Sequence, residues 1–214
     1  MQRDLAATLP DIDRPDVDVA VVHQHAVETS REQRQLADTT LATWDAAPWP
    51  DGLISQTCYV SFDGHRVVTY EQWRSGHDAL VPQDAVAFRL YRSGVRQNAP
   101  VPGCIVIVDV ETDGPATARQ WVDAVFDALA AEPTLHPGGI SGHFHISLDG
   151  TRVLNYAEWV DEASHIEAVG QTGSIGRAPA WRKVHSMPGV ENRGVRRYRV
   201  YGFREGSNLP RHVV

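Results

Sequence analysis

The chain repeats itself, and no other feature restricts its folding choices as strongly. Asp63-Gly64-His65-Arg66-Val67-Val68-Thr69-Tyr70-Glu71-Gln72-Trp73 aligns without a gap on Asp149-Gly150-Thr151-Arg152-Val153-Leu154-Asn155-Tyr156-Ala157-Glu158-Trp159, a constant spacing of 86 residues from Asp63 to Asp149. Upstream, Gly52, Ile54, Ser55, Val60 and Ser61 fall on Gly138, Ile140, Ser141, Ile146 and Ser147. A period of this length marks a duplicated structural unit. The length of 214 residues agrees with two small domains, since a domain typically holds ~100–150 residues.

Each copy orders its elements alike. An apolar strand (Val17 to Val27; Cys104 to Val110) leads to a helical stretch, a Pro/Gly turn, a strand, an Asp-Gly hairpin, a second strand and the Trp. Ser30 with Gln33 three residues on reads as a capping box, and Asp113 with Pro115 opens the second helix. There Trp121, Val122, Val125, Phe126 and Leu129 recur at helical spacing and form a buried stripe. The closing strand recurs as Phe88-Arg89-Leu90-Tyr91 and Tyr198-Arg199-Val200-Tyr201. Its spacing widens from 86 to 110 residues (Phe88 to Tyr198), so the second copy holds 24 more. Residues 1–16 read as a flexible N-terminal segment, 17–98 as the first repeat, and 103–205 as the second with a lid-like insertion at 166–194.

The expected fold class is α+β: two ferredoxin-like repeats, each with strands on one face and helices on the other, forming an intrachain α+β barrel. Alternation along the strands predicts two faces. Ile54, Cys58, Val60 and Phe62, and in the second copy Ile140, Phe144, Ile146 and Leu148, form a face for the helices to cover. Ser55, Thr57, Tyr59 and Ser61, with Ser141, His143, His145 and Ser147, form a polar face. That face meets either solvent or, inside a barrel, a ligand cavity to which His23 and His25 add. Asn155 follows the hairpin register. A two-residue Asp149-Gly150 turn puts it beside Phe144, and a G1 bulge puts it opposite His143. The bulge is preferred, because an unmatched amide in the helix-covered layer costs ~1–3 kcal/mol.

Composition removes several function classes. A net charge of −7 opposes a nucleic-acid partner, whose phosphates are bound through basic residues. The N-terminus carries Asp4, Asp11, Asp13 and Asp16 without an apolar run, and no stretch approaches the ~20 apolar residues of a membrane span. A soluble, cytoplasmic protein without a membrane partner is expected. Cys58 and Cys104, in no metal-type spacing, read as reduced packing residues.

Asn155-Tyr156-Ala157-Glu158-Trp159, after a Gly-rich turn and the Ile140-Ser141 strand, resembles the signature of the antibiotic biosynthesis monooxygenase family, over both repeats. The resemblance implies a dimeric α+β barrel, here within one chain, so that the molecule is a monomeric pseudo-dimer open to further homo-oligomerisation. It implies a monooxygenase that converts an anthrone- or phenol-type polyketide intermediate with O2 in antibiotic biosynthesis, with no cofactor and no metal. Asn155 and Trp159 are the carried-over catalytic residues. The family's Tyr six residues after the Trp is His165 here, its later Arg corresponds to Arg177 or Arg182, and the first copy has Thr69 in place of the Asn. One active half, the second, follows from these departures. Relatives that use reduced flavin to cleave rings, relatives that degrade haem, and a non-catalytic small-ligand binder are the alternatives.

The chemistry suits these residue types. An electron-rich phenolate or enolate reduces O2 without a cofactor, provided the protein removes a proton and steadies the anion. The Asn155 amide can donate to the oxyanion, Trp159 offers an apolar plane, and an imidazole of His165, His143 or His145 can serve as base. Tyr59, His143 and His145 line the polar face, and Trp181 with Arg177 or Arg182 closes over the substrate from the insertion. Competing readings make Trp73 and Trp159 core anchors, Asn155 an edge amide and His165 a surface helix residue.

Overall fold

The computed structural model describes residues 9–75, 81–132, 136–170, 176 and 179–206. In chain order these form β1 (Val17–Ala26), α1 (Ser30–Ala46), β2 (Leu53–Ser61), β3 (Arg66–Arg74), β4 (Ala85–Val95), β5 (Cys104–Thr112), α2 (Pro115–Ala130), β6 (Gly139–Ser147), β7 (Arg152–Trp159), α3 (Glu162–Val169), α4 (Trp181–His185) and β8 (Val190–Glu205). The fold is α+β, in two compact ferredoxin-like units. Residues up to Arg89 together with those from Tyr198 onward make the first, and Leu90–Arg197 make the second. No helix among the described residues is long and apolar enough to cross a membrane.

In the first unit the strands hydrogen-bond in the order β4-β1-β3-β2-β8, with β1–β3 and β2–β3 antiparallel. Tyr198–Glu205 of β8 pairs with β2. Helix α1 lies on one face, where Ala37, Leu36, Leu41 and Trp44 pack on Cys58, Val60 and Val67. Its N-cap is Thr29, whose hydroxyl accepts from Glu32 N–H while the Glu32 carboxylate accepts from Thr29 N–H. The capping box therefore begins one residue earlier than the Ser30–Gln33 reading. Gln33 is otherwise engaged: its buried amide donates to Ser61 O, Ser61 Oγ and Arg66 O at 2.9–3.0 Å and ties the helix to the β2–β3 hairpin.

The second unit has the strand order β8-β5-β7-β6-β4. Val110, Val122, Val125, Phe144, Val153 and Trp121 form its core under α2, and Phe126 and Leu129 of the predicted stripe pack against it. Gly114 rather than Asp113 occupies the α2 N-cap, with Pro115 following at a position whose N–H needs no partner. Gly150 turns the β6–β7 hairpin at φ 74°, and a Cβ on it would lie 2.5 Å from Pro115 Cβ. Only glycine allows both the left-handed backbone and this approach of hairpin to helix.

The hairpin register corrects one expectation directly. Ile146 pairs with Val153, Phe144 with Asn155 and His143 with Tyr156. Asn155 thus lies on the helix-covered face beside Phe144, as a two-residue Asp149-Gly150 turn requires, and not opposite His143. His23 and His25 are corrected likewise: they pair with Thr69 and Val67, on the face that α1 covers.

Candidate functional site

Asn155 and Trp159 lie four residues apart on one face of β7, and α3 brings His165 to the Trp159 end of that face. Trp159 ends that strand and is buried, and α3 carries His165 against it with ring centroids 4.9 Å apart in an edge-to-face arrangement. His136 lies 5.8 Å from the same indole. Asp161 caps α3 by accepting from Ser164 N–H at 2.7 Å, which fixes the helix turn that presents His165. Four residues before Trp159 on the same strand face, the Asn155 Oδ1 is buried and has no hydrogen-bond partner among the described residues. Such an orphaned acceptor costs ~1–3 kcal/mol, and functional sites are where proteins retain that cost.

His165 is 4% exposed, so the surface-residue reading does not hold. Arg197 Nε donates to its Nδ1 at 2.8 Å. Burial first, and the Arg197 charge second, push the imidazole down to about 4 from an ordinary 6.5. Near neutral pH the ring is uncharged, its Nδ1 is occupied as an acceptor, and its proton sits on Nε2. In this state the ring has Nε2–H free to donate a hydrogen bond, while Nδ1 is taken up by Arg197.

A stability prediction follows with a definite sign. The unfolded imidazole protonates near pH 6.5 and the folded one only near 4, so the folded state binds fewer protons across that window. His165 accordingly takes stability away as pH falls from 6.5 towards 4, on the order of 2 kcal/mol after allowing for solvent screening, and contributes no slope above 6.5. Urea midpoints measured from pH 4 to 7.5 should show this loss in the wild type and a flatter profile in His165→Gln.

His143, His145 and Tyr59 lie on the other sheet faces of their units and are all buried. His143 Nδ1 is 3.0 Å from Ser93 Oγ, and His145 Nδ1 is 3.1 Å from His143 O. They do not join the Asn155–Trp159 set. Trp181 enters the core cluster that contains Phe144 and Val153, neighbours of Asn155 on its face, and donates Nε1–H to Glu132 Oε1 at 2.7 Å. Arg182 is exposed on α4, and Arg177 lies outside the described residues. Among the described residues no group of three or more His, Cys, Asp or Glu side chains is arranged to hold a metal.

The first unit contains a feature that sequence reasoning missed. A cleft of about 240 Å³ opens between α1 and the strands, lined by His23, His25, Thr69, Glu71, Thr40 and Trp44 among others. The His23 and His25 rings are 3.8 Å apart. Glu71 Oε1 accepts from Gln56 Nε2 at 2.9 Å, and Oε2 accepts from Trp73 Nε1 at 3.3 Å. Burial raises the Glu71 carboxyl above its ordinary range, against the opposing pull of these donors and of His23. Burial also lowers His25, with His23 adding to the effect. The signal was present in the repeat: β-ladder partners match His23 and His25 to Val108 and Val110, and the helices match Thr40 and Trp44 to Val125 and Leu129. Apart from Thr69, which matches Asn155, the first unit carries polar or aromatic side chains where the second carries aliphatic ones.

Comparison with known proteins places this geometry. No family model matches the chain. The tetracenomycin-F1 monooxygenase of Streptomyces glaucescens is 34% identical over 65 residues, which span 30% of this chain and 58% of that relative. An anthrone oxidase-like protein of solved structure shares the fold with a TM-score of 0.67 at 18% identity, over 93% of this chain and 98% of its own. A protein from Fusobacterium nucleatum, provisionally named a monooxygenase, does so with a TM-score of 0.56 at 7% identity, covering 92% of this chain and 98% of its own. These likenesses define the chain's class by fold, as a protein of two ferredoxin-like units. Within that class the chain resembles the antibiotic biosynthesis monooxygenases, in fold over most of its length and in sequence over a shorter segment.

Proposed function

We propose that the protein is a cytoplasmic monooxygenase that oxidises a polycyclic aromatic, anthrone- or phenol-type polyketide intermediate with O2, without metal. The observation that carries this reading is the buried, unpartnered Asn155 amide oxygen on the strand that ends in the Trp159–His165 contact. A substrate hydroxyl supplies the donor this oxygen lacks, while the amide nitrogen of the same group can meet an oxyanion. Trp159 gives the ring system an apolar surface, and the neutral His165 can donate Nε2–H to a second oxygen.

The reaction balances with O2 as the sole oxidant. Loss of a proton from an anthrone methylene to solvent gives the enolate, which passes one electron to O2, and solvent returns the proton to the peroxide that forms. The carbon–oxygen bond forms on recombination, and loss of water leaves the quinone carbonyl, so one oxygen atom enters the product and the other becomes water. Electrostatic stabilisation of the enolate is the protein's main contribution.

Oxygen-electrode assays with a model anthrone test this, using protein treated with chelator and scanned for visible absorbance. Colourless protein that consumes oxygen with the anthrone is expected. A Soret band or a flavin spectrum accompanying the activity would replace the cofactor-free reading, and absence of uptake would remove the oxygenase itself.

A further inference from the structure

We infer that the cleft of the first unit is a second ligand site, which binds a small, flat hydroxylated aromatic and in which Glu71 removes the ligand's acidic proton. The choice of an acidic aromatic rests on the proposed function, whereas the existence of the site rests on the cleft itself. Three observations carry it. The space is real, at about 240 Å³, and lies below the ~300–1,000 Å³ of sites for drug-sized ligands, so it suits a few fused rings. Its walls are sorted by chemistry, with Trp44 offering an aromatic surface and Glu71, Thr69, His23 and His25 gathering on the strands. Apart from Asn155, which matches Thr69, the matched positions of the other unit carry valine, leucine and alanine, so the two histidines and the carboxylate are particular to the first copy.

Glu71 is built to act as a base. Gln56 and Trp73 each donate to one of its oxygens, which fixes the carboxylate and leaves it further acceptor capacity. A carboxyl lifted by burial is a better proton acceptor than one in water, and is poised closer to neutral pH. In the step, the Glu71 carboxylate takes the proton from the ligand's acidic C–H or O–H and becomes neutral, and the negative charge moves to the ligand oxygen. His23 and His25, their rings tilted at 46° with centroids 3.8 Å apart, supply ring N–H donors for that oxygen. No electron is transferred and no oxidant is needed, so the step is separable from oxygen chemistry.

The test is made under nitrogen with 1,8-dihydroxyanthrone as the probe, at a pH where the free compound is un-ionised, and reads the absorbance of its anion. Wild-type protein should generate the anion stoichiometrically. Glu71→Gln should lower the anion fraction by tenfold or more, and Thr43→Leu, which fills the cleft from exposed α1 without touching Glu71, should weaken probe binding by a similar factor. In an Asn155→Ala background, which removes enolate stabilisation in the second unit, anion should still form and should fall by tenfold or more when Glu71→Gln is added. Anion formation that is absent in the wild type, undiminished in both first-unit variants, or lost in Asn155→Ala alone overturns the inference. Anion formation without oxygen uptake in air leaves this site standing and removes the monooxygenase reading.

Discussion

Asn155→Ala is expected to lower kcat for anthrone-dependent oxygen uptake by about 10²–10³-fold, the loss that follows removal of one preorganised oxyanion donor. The size follows from the surroundings of the amide. Its oxygen is buried without a protein partner, although the residue as a whole is half-buried, and Phe144 stands directly across the ladder. At an oxygen sheltered in this way the amide's dipole acts more strongly than it would in water. Alanine keeps the β7 backbone pairing, so the circular dichroism spectrum and urea midpoint should be unchanged or slightly improved as the orphaned oxygen disappears. A rate within threefold of wild type would show that the Asn155 amide takes no part in the reaction.

The largest stability loss is expected from Trp121→Ala. Trp121 is buried in the α2 core cluster, 6.3 Å from the Phe144 ring, which in turn meets Phe126 edge-on at 5.3 Å. Truncation removes the biggest side chain of that stack and leaves a cavity that α2, held against β5, β6 and α4, closes only in part. A loss of about 3–5 kcal/mol is expected, read as a lower urea midpoint at constant slope. Because Phe144 is the ladder partner of Asn155, the same variant should also raise KM for the anthrone. The matching position of the first unit is Leu36, only partly buried beside a polar cleft, and Leu36→Ala should cost less than half as much.

The architecture was legible because duplication wrote it twice. Asp-Gly hairpins, strand alternation and the α2 stripe specify both units, and each depends on short-range chemistry visible along the chain. The site was legible only in part. Asn155 and Trp159 stand out through the motif, but the face they occupy depends on a one-residue choice of hairpin register, which turns every side chain over. The choice of a bulge assumed that an amide would avoid an unmatched position under the helix. The structure keeps that unmatched amide, as functional positions do. His165 was legible as an imidazole near Trp159 but not as a neutral donor, because Arg197 lies 32 residues away in sequence and its hydrogen bond is tertiary. The first-unit cleft escaped because Thr69 was read as a lost Asn rather than together with His23, His25 and Glu71, which only strand pairing assembles.

The central claim is that one atom of O2 enters the aromatic substrate, and isotope labelling measures it directly. A model anthrone turned over by the wild-type protein under ¹⁸O2, with the quinone analysed by mass spectrometry, should gain one ¹⁸O per molecule, and Asn155→Ala should form the same labelled product far more slowly. Quinone whose new oxygen comes from ¹⁶O water, or formation no faster than in buffer alone, would contradict the account.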